Sequence, residues 1–260
     1  MPENTAKIDS LYRYPVKGLT PEHLSQVTLS VGQTLPSDRR YAIENGPSGF
    51  DPAAPRFFPK VVFLMLMRNE RLAALRTHYD DASHVLTIRD NDVEAARGDL
   101  ETPEGRAAIE QFFAANFADE LRGPPKILSS QGHSFSDVGR NVVSLINLES
   151  VAALEKVIGQ PVHPLRFRGN VHLTGWPAWH EFELMDQVIT IGNARLKIVK
   201  RIKRCAATNV DPDTAVRDLT IPKTLMDTYG HPDLGVYAEV IEGGTIAEGD
   251  AIKMEAPALS

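Results

Sequence analysis

Cys205 directly follows Lys203-Arg204 and is the only cysteine among 260 residues. The thiolate is the form that ligates a metal or attacks sulfur, and neighbouring positive charge favours it. A single thiol excludes an intramolecular disulfide, a cysteine-held iron–sulfur cluster and a multi-thiolate zinc site. The uses left are an inert buried cysteine, the commonest fate of a lone one, attack on sulfur, or one protein ligand to a soft or high-valent metal whose other donors come from an anionic cofactor.

The surrounding charge favours the last two uses, which need the thiolate. No acidic residue lies between Asp186 and Asp211, whereas Arg195, Lys197, Lys200, Arg201, Lys203 and Arg204 crowd into one short stretch. In a strand, alternation sends Arg195, Lys197 and Arg201 to one face and Lys200 and Arg204 to the other. A charged, protected edge strand is the ordinary alternative. A second basic group, Arg166-Phe167-Arg168-Gly169-Asn170, puts two guanidinium forks on one strand face with an amide two residues on, a shape suited to phosphate. Lys17-Gly18 and Asp38-Arg39-Arg40-Tyr41 add basic turns. His163, His172 and His180 match neither helical ligand spacing nor a strand pair, and are read as ordinary surface or core histidines.

The elements that hold these residues are mostly short strands. Val27, Leu29 and Val31 alternate with Thr28 and Ser30 until Gly32, and Val85 to Arg89 reads as another strand. Val61 to Met67, apolar throughout, is expected as a strand buried on both faces, after a Gly46 to Pro59 loop. Thr102-Pro103 opens a helix with Ile109, Phe112, Phe113, Phe117 and Leu121 at helical spacing. That helix is expected to stop at Gly123-Pro124-Pro125, which divides the chain into 1–125 and 126–260. Asn147 caps a second helix, with Leu148, Val151, Ala152 and Ile158 on one face and Gly159 closing it. Strands return at Val188 to Ile191, Leu196 to Ile202 and Val236 to Ile241. Gly243-Gly244 and Gly249-Asp250 are then read as turns before Ala251 to Met254. The expected fold class is α+β, centred on a β-barrel.

Composition sets the class of partner. With 42% hydrophobic residues the chain has an ample core, and its net charge of −6 is the wrong sign for a generic nucleic-acid or anionic-membrane binder, so any anion site is local. The longest apolar run, Val61 to Met67, is far below the roughly 20 residues that cross a bilayer. Met1-Pro2-Glu3-Asn4 lacks a basic or apolar leader, so the expected compartment is the cytoplasm. The phosphate-loop, dinucleotide-fold and zincin motifs are absent from the sequence.

Taken in order, the scattered motifs become specific. Tyr14-Pro15-Val16-Lys17, Asp38-Arg39, Arg166-Phe167-Arg168 with Asn170, Arg204-Cys205 followed by Val210-Asp211-Pro212-Asp213-Thr214, and Gly235-Val236-Tyr237 succeed one another as in MOSC proteins. The sequence resembles that family over nearly its full length, with the MOSC N-terminal β-barrel region and the MOSC domain both represented, as in the mitochondrial amidoxime-reducing component and its bacterial relatives. The resemblance implies Mo-molybdopterin as cofactor, Cys205 as catalytic residue and molybdenum ligand, and Lys17, Arg39, Arg168, Asn170, Lys203, Arg204 and Tyr237 as cofactor contacts. Asn147 stands at the family's Ser position, where free helix N–H groups favour an anion. The family's Ser after the motif lysine is here Gly18, its Phe-Arg-Pro-Asn proline is Gly169, and Gln131 to Asn141 matches nothing placed.

The implied activity is an oxidoreductase that reduces hydroxylamines and amidoximes. Its electrons are expected from an external ferredoxin- or cytochrome b5-like donor with its reductase, because no ferredoxin module follows the chain. Two alternatives use the same thiol: a sulfurtransferase carrying a persulfide on Cys205, and a molybdenum-cofactor carrier. The pyridoxal-dependent desulfurase domain of the sulfurases has no counterpart in this sequence, which favours the reductase.

Overall fold

The computed structural model describes residues 6–254, so the reading of Met1 to Asn4 lies outside the described residues. The N-terminal strands are β1 (Lys7–Arg13), β2 (Glu22–Leu24), β3 (Gln26–Leu29) and β4 (Tyr41–Asn45). A meander of β5 (Arg76–Tyr79), β6 (Val85–Asp90) and β7 (Val93–Asp99) follows, then helix α1 (Pro103–Asn116) and β8 (Pro125–Ser129). Next come β9 (Val143–Asn147), helix α2 (Leu148–Ile158), β10 (Val171–Thr174), β11 (Val188–Ile191) and β12 (Ala194–Lys203). Helix α3 (Ile221–Tyr229), β13 (Asp233–Glu242), β14 (Gly244–Ala247) and β15 (Ile252–Met254) end the described chain.

Eight strands share one sheet in the order β15, β11, β12, β13, β9, β10, β1, β2. All neighbours are antiparallel except β9 beside β10. The sheet curls until its β15 end meets β1: the Ile252 N–H donates to the Ala6 carbonyl at 2.7 Å and the Ile8 N–H to the Asp250 carbonyl at 2.9 Å. Inside the curl, Ile8, Leu11, Leu145, Val171, Leu196 and Val236 are fully buried, each worth about 1.5–3 kcal/mol of apolar transfer. The fold is α+β with few helices, organised around this barrel-like sheet.

A second core lies between β4–β8, the meander and α1, built on Tyr41, Ile43, Tyr79, Ile88, Ile109 and Phe113. Thr102 caps α1 by accepting from the Gly105 N–H at 3.1 Å. Helices α2 and α3 cover a third cluster around Ile146 and Leu234. Outside the β5–β6–β7 meander, each sheet joins residues from both sides of position 125: β1 pairs with β10, β3 with β14 and β4 with β8.

Several local expectations are corrected. Val61 to Met67 is not a strand; Lys60–Val62 is a short 3-10 turn, and Phe63 makes an isolated bridge to Glu44. Its residues are apolar because Leu64 and Phe63 enter two different cores, a demand that periodicity cannot tell from a buried strand. Helix α1 ends at Asn116 rather than at the prolines, because Phe117 leaves helical geometry at φ −122°. Gly244 opens β14 instead of a turn, and Val31 lies outside β3 with its side chain exposed.

Candidate active site

Cys205 sits where β12 runs out, as the residue that opens a 3-10 turn over Ala206–Asn209. Thr208 closes that turn, its N–H and its hydroxyl both donating to the Cys205 carbonyl at 3.0 and 2.9 Å. The thiol is half-buried and borders a cavity of about 270 Å³ whose wall also holds Lys17, Arg39, Arg168, Asn170, Lys203, Arg204 and Tyr237. These residues come from five separate stretches of chain, and the curled sheet brings them together.

The two arginines flanking the cavity floor are held by backbone. Arg204 donates from Nε to the Leu234 carbonyl at 2.7 Å and from Nη1 to the Phe167 carbonyl at 2.8 Å. Its passage explains Gly235: at φ +76°, a Cβ there would lie 2.5 Å from the Leu145 carbonyl oxygen and 3.1 Å from Arg204 Nη2. Arg168, in the left-handed region at φ 51°, donates from Nη1 to the Leu19 carbonyl at 2.8 Å. Its Nη2 is buried without a partner. Burial draws both guanidiniums down to about 10, and neither is in ion-pair contact with a carboxylate among the described residues.

Arg39 differs. Its Nη1 pairs with Asp38 at 2.6 Å and its Nη2 donates to the Arg168 carbonyl at 2.8 Å. Arg39 and Arg168 both lie against the Tyr14 ring, 4.3 and 4.2 Å from its centroid, a cation–π arrangement that spaces two like charges over one ring. Burial pushes the Tyr14 phenol up to about 12. Asn170 is a strut: its Oδ1 accepts from the Ser144 hydroxyl at 2.8 Å, and its Nδ2 donates to the Tyr12 carbonyl and to Asp38 Oδ1, each at 3.1 Å.

Two site residues escaped the sequence reading. The Lys60 ammonium lies 3.1 Å from Cys205 Sγ and 3.3 Å from Asp137 Oδ2. Asp137 Oδ1 is paired with the buried Lys17, whose ammonium also donates to the Phe135 carbonyl at 2.8 Å. Burial lowers Lys17 and opposes the Lys60 charge, but Asp137 and Cys205 together hold Lys60 above its ordinary value. The two ammoniums in turn overcome burial and keep the Asp137 carboxyl well below the usual carboxylate range. Lys60 opens the short 3-10 turn after Pro59, and Asp137 stands between Ser136 and Val138 in the unplaced Gln131 to Asn141 segment; neither carried a signal of its own.

Three predicted placements are corrected. Asn147 lies outside the cavity: its Oδ1 caps α2 at the Glu149 N–H, 3.2 Å, and its Nδ2 donates to the Pro177 carbonyl and to Glu181, each at 2.9 Å. The anion beside that helix start is the chain's own buried Glu181. Arg166 and Arg168 do not share a strand face, because Pro164–Phe167 is a 3-10 turn. Arg166 is instead bound by Asp218 at 2.7 and 2.8 Å and by Asp211 at 2.8 Å. In β12, register slips between Ile198 and Lys200 and between Arg201 and Lys203 break the alternation, so Lys200, Arg201 and Lys203 are all exposed while Ile202 points inward.

The two departures have local reasons. Gly18 has φ +87°, a conformation in which a serine is strained. A Cβ on Gly169 would lie 2.2 Å from Ile146 Cγ1, so Ile146 fills the volume that a proline ring would need.

Residues 5–121 match the family model of the MOSC N-terminal beta barrel domain, and residues 130–253 that of the MOSC domain. The chain is 30% identical over 122 residues to mitochondrial amidoxime reducing component 2 of Bos taurus, covering 42% of this chain and 36% of that protein. To mitochondrial amidoxime-reducing component 1 of Homo sapiens it is 28% identical over 120 residues, covering 42% and 35%. It thus spans little more than a third of the length of these relatives. Among solved structures, the YUAD protein from Bacillus subtilis aligns over 95% of this chain and 94% of its own at 12% identity and a TM-score of 0.43. YiiM from Geobacillus stearothermophilus aligns over 45% and 56% at 19% identity and a TM-score of 0.36. No described helix is long and apolar enough to cross a membrane.

Proposed function

The chain belongs to the MOSC family, with the N-terminal barrel domain and the MOSC domain in one polypeptide, and we propose that it binds Mo-molybdopterin and reduces N-hydroxylated compounds. One observation carries the reading: Arg168 and Arg204 are buried guanidiniums without carboxylate partners, on the wall that also presents the sole thiol. Burying an unpaired charge costs several kcal/mol, and a bound phosphate-bearing anion offsets that cost through charge-assisted contacts. The donor set fits as well. Among the described residues no three His, Cys, Asp or Glu side chains converge on a point, so a metal at Cys205 takes one protein thiolate and draws its other donors from the cofactor.

A molybdenum held at Cys205 would supply the two-electron redox change that the reduction needs. The overall reaction takes R–NH–OH, two electrons and two protons to R–NH₂ and water. Arg39, Arg168 and Arg204 fix the anionic part of the ligand, Cys205 anchors the metal end, and Lys60 holds a donor beside the sulfur. The Tyr237 hydroxyl is on the same wall. Electrons come from a separate donor of the ferredoxin or cytochrome b5 class with its reductase. The relatives carry names that describe amidoxime reduction, and this chain is read as sharing that substrate class. The test is metal and pterin content of protein purified from a cofactor-competent host, followed by turnover of a hydroxylamine or amidoxime with a reduced artificial donor. Activity that tracks molybdenum occupancy supports the reading; loaded protein that reduces neither substrate overturns it.

A further inference from the structure

We propose that Lys17 and Lys60 form an oxyanion seat for a phosphate-class group, filled in the free protein by the chain's own Asp137, and that an incoming anion displaces this carboxylate. Lys17 is 6% exposed, so its ammonium needs a counter-ion whether or not a ligand is present. Two carboxylates border the cavity, Asp38 and Asp137, and they are held differently. Asp38 is buried and committed to the Tyr14 N–H at 2.8 Å, Asn170 Nδ2 at 3.1 Å and Arg39 Nη1 at 2.6 Å. Asp137 is 46% exposed at its side chain, and its two oxygens are bonded to the two lysines. It is the replaceable one.

The backbone around Asp137 is built to let go. On one side Phe135 is anchored, its N–H donating to the Arg39 carbonyl at 2.8 Å and its ring 5.1 Å from that of Phe50 and 5.5 Å from that of Phe63. On the other side Val143 pairs with Ala238 in the large sheet. Among the described residues no backbone hydrogen bond ties 136–140. Besides Asp137, the polar tether of that strap is the exposed ion pair of Arg140 with Glu239 at 3.1 Å. With Arg168 and Arg204 in no ion-pair contact and only Asp38 and Asp137 as carboxylates on the wall, the cavity keeps an excess of positive charge, so a doubly charged oxyanion gains more from it than a single carboxylate does.

The inference uses the cavity of the proposed function but requires only an oxyanion there, not molybdenum or reduction. The probe is inorganic pyrophosphate, titrated calorimetrically into cofactor-free full-length protein. Asp137→Asn should bind it about tenfold tighter than the unaltered chain, the weight of one charge-assisted contact removed from the competition, and Lys60→Met should bind it more weakly. The anion-free Asp137→Asn protein should melt lower and recover with pyrophosphate. Limited tryptic cleavage of the unaltered chain gives an independent reading: cutting after Arg140, whose tether is an exposed ion pair with Glu239, should speed up when pyrophosphate is added. Unchanged or weaker binding by Asp137→Asn overturns the proposal; if that variant does not fold, unchanged or slower cutting after Arg140 does so. Pyrophosphate displacement in a chain that never acquires molybdenum would sink the reductase reading and leave this one standing.

Discussion

The Lys60 ammonium lies 3.1 Å from the Cys205 sulfur across 145 residues of sequence. The contact ties the loop after Pro59 to the end of β12, and it places a hydrogen-bond donor within reach of whatever the sulfur holds. The same ammonium is anchored by Asp137 at 3.3 Å.

Cys205→Ala should reduce molybdenum in protein from a cofactor-competent host to near background, with the circular dichroism spectrum unchanged. The loaded, unaltered protein should resist thiol alkylation and release no sulfur to cyanide, because the thiol is occupied. A persulfide carrier would behave in the opposite way on both counts, so stoichiometric cyanolysable sulfur without reductase activity would favour sulfur transfer.

Arg39→Ala and Arg168→Ala should each lower cofactor retention about 10- to 100-fold, the effect of one charge-assisted contact of roughly 1.5 to 3 kcal/mol. Lysine at either position should rescue only partly, because the fork is lost. Stability should separate them. Arg39→Ala leaves Asp38 buried without its cation and should cost about 3 kcal/mol, whereas Arg168→Ala removes a buried charge that has no carboxylate partner and should leave the melting temperature of the cofactor-free protein the same or higher. Equal losses of stability would contradict the assignment of Arg168 as the uncompensated charge.

Gly169 and Ile146 should behave as a coupled pair. Gly169→Ala forces a Cβ to within 2.2 Å of Ile146 Cγ1 and should destabilise by about 1–3 kcal/mol through overpacking. Ile146→Ala alone should cost about 2–5 kcal/mol for the cavity left behind. In the double variant the new methyl enters that cavity, so denaturant titration should give a loss smaller than the sum; strict additivity would show that the two groups do not compete for one volume.

Acid should weaken the fold through His172. Burial lowers this imidazole from 6.5 to about 4, and its Nε2 is buried without a partner. Between those values the unfolded chain binds the extra proton, so stability is present above pH 6.5 and is lost as the pH falls toward 4. The full contribution is roughly 3 kcal/mol. His172→Gln should flatten this limb of the stability curve, and an unaltered slope would refute the attribution.

The sequence by itself determined those features that depend on local backbone chemistry or on residue counts. The Thr102-Pro103 and Asn147 caps opened helices where they stand, Gly159 closed one in the left-handed conformation, and the strands around Val188, Leu196 and Val236 were legible from their apolar residues. One cysteine in the sequence already limited any metal to a single protein thiolate. Tertiary structure alone decided which charges are paired. Arg166 and Arg168 are indistinguishable in a string, yet the first is bound by two aspartates and the second by none, because a 3-10 turn rotates them apart. Asn147 carries the right residue type for an anion site but spends its side chain on α2 and Glu181. Lys60 and Asp137 meet through pairings made far along the chain. The physical reason is that periodicity reports which side of an element is buried, whereas a charged side chain is defined by the partner at its tip, and that partner is set by how the sheet closes.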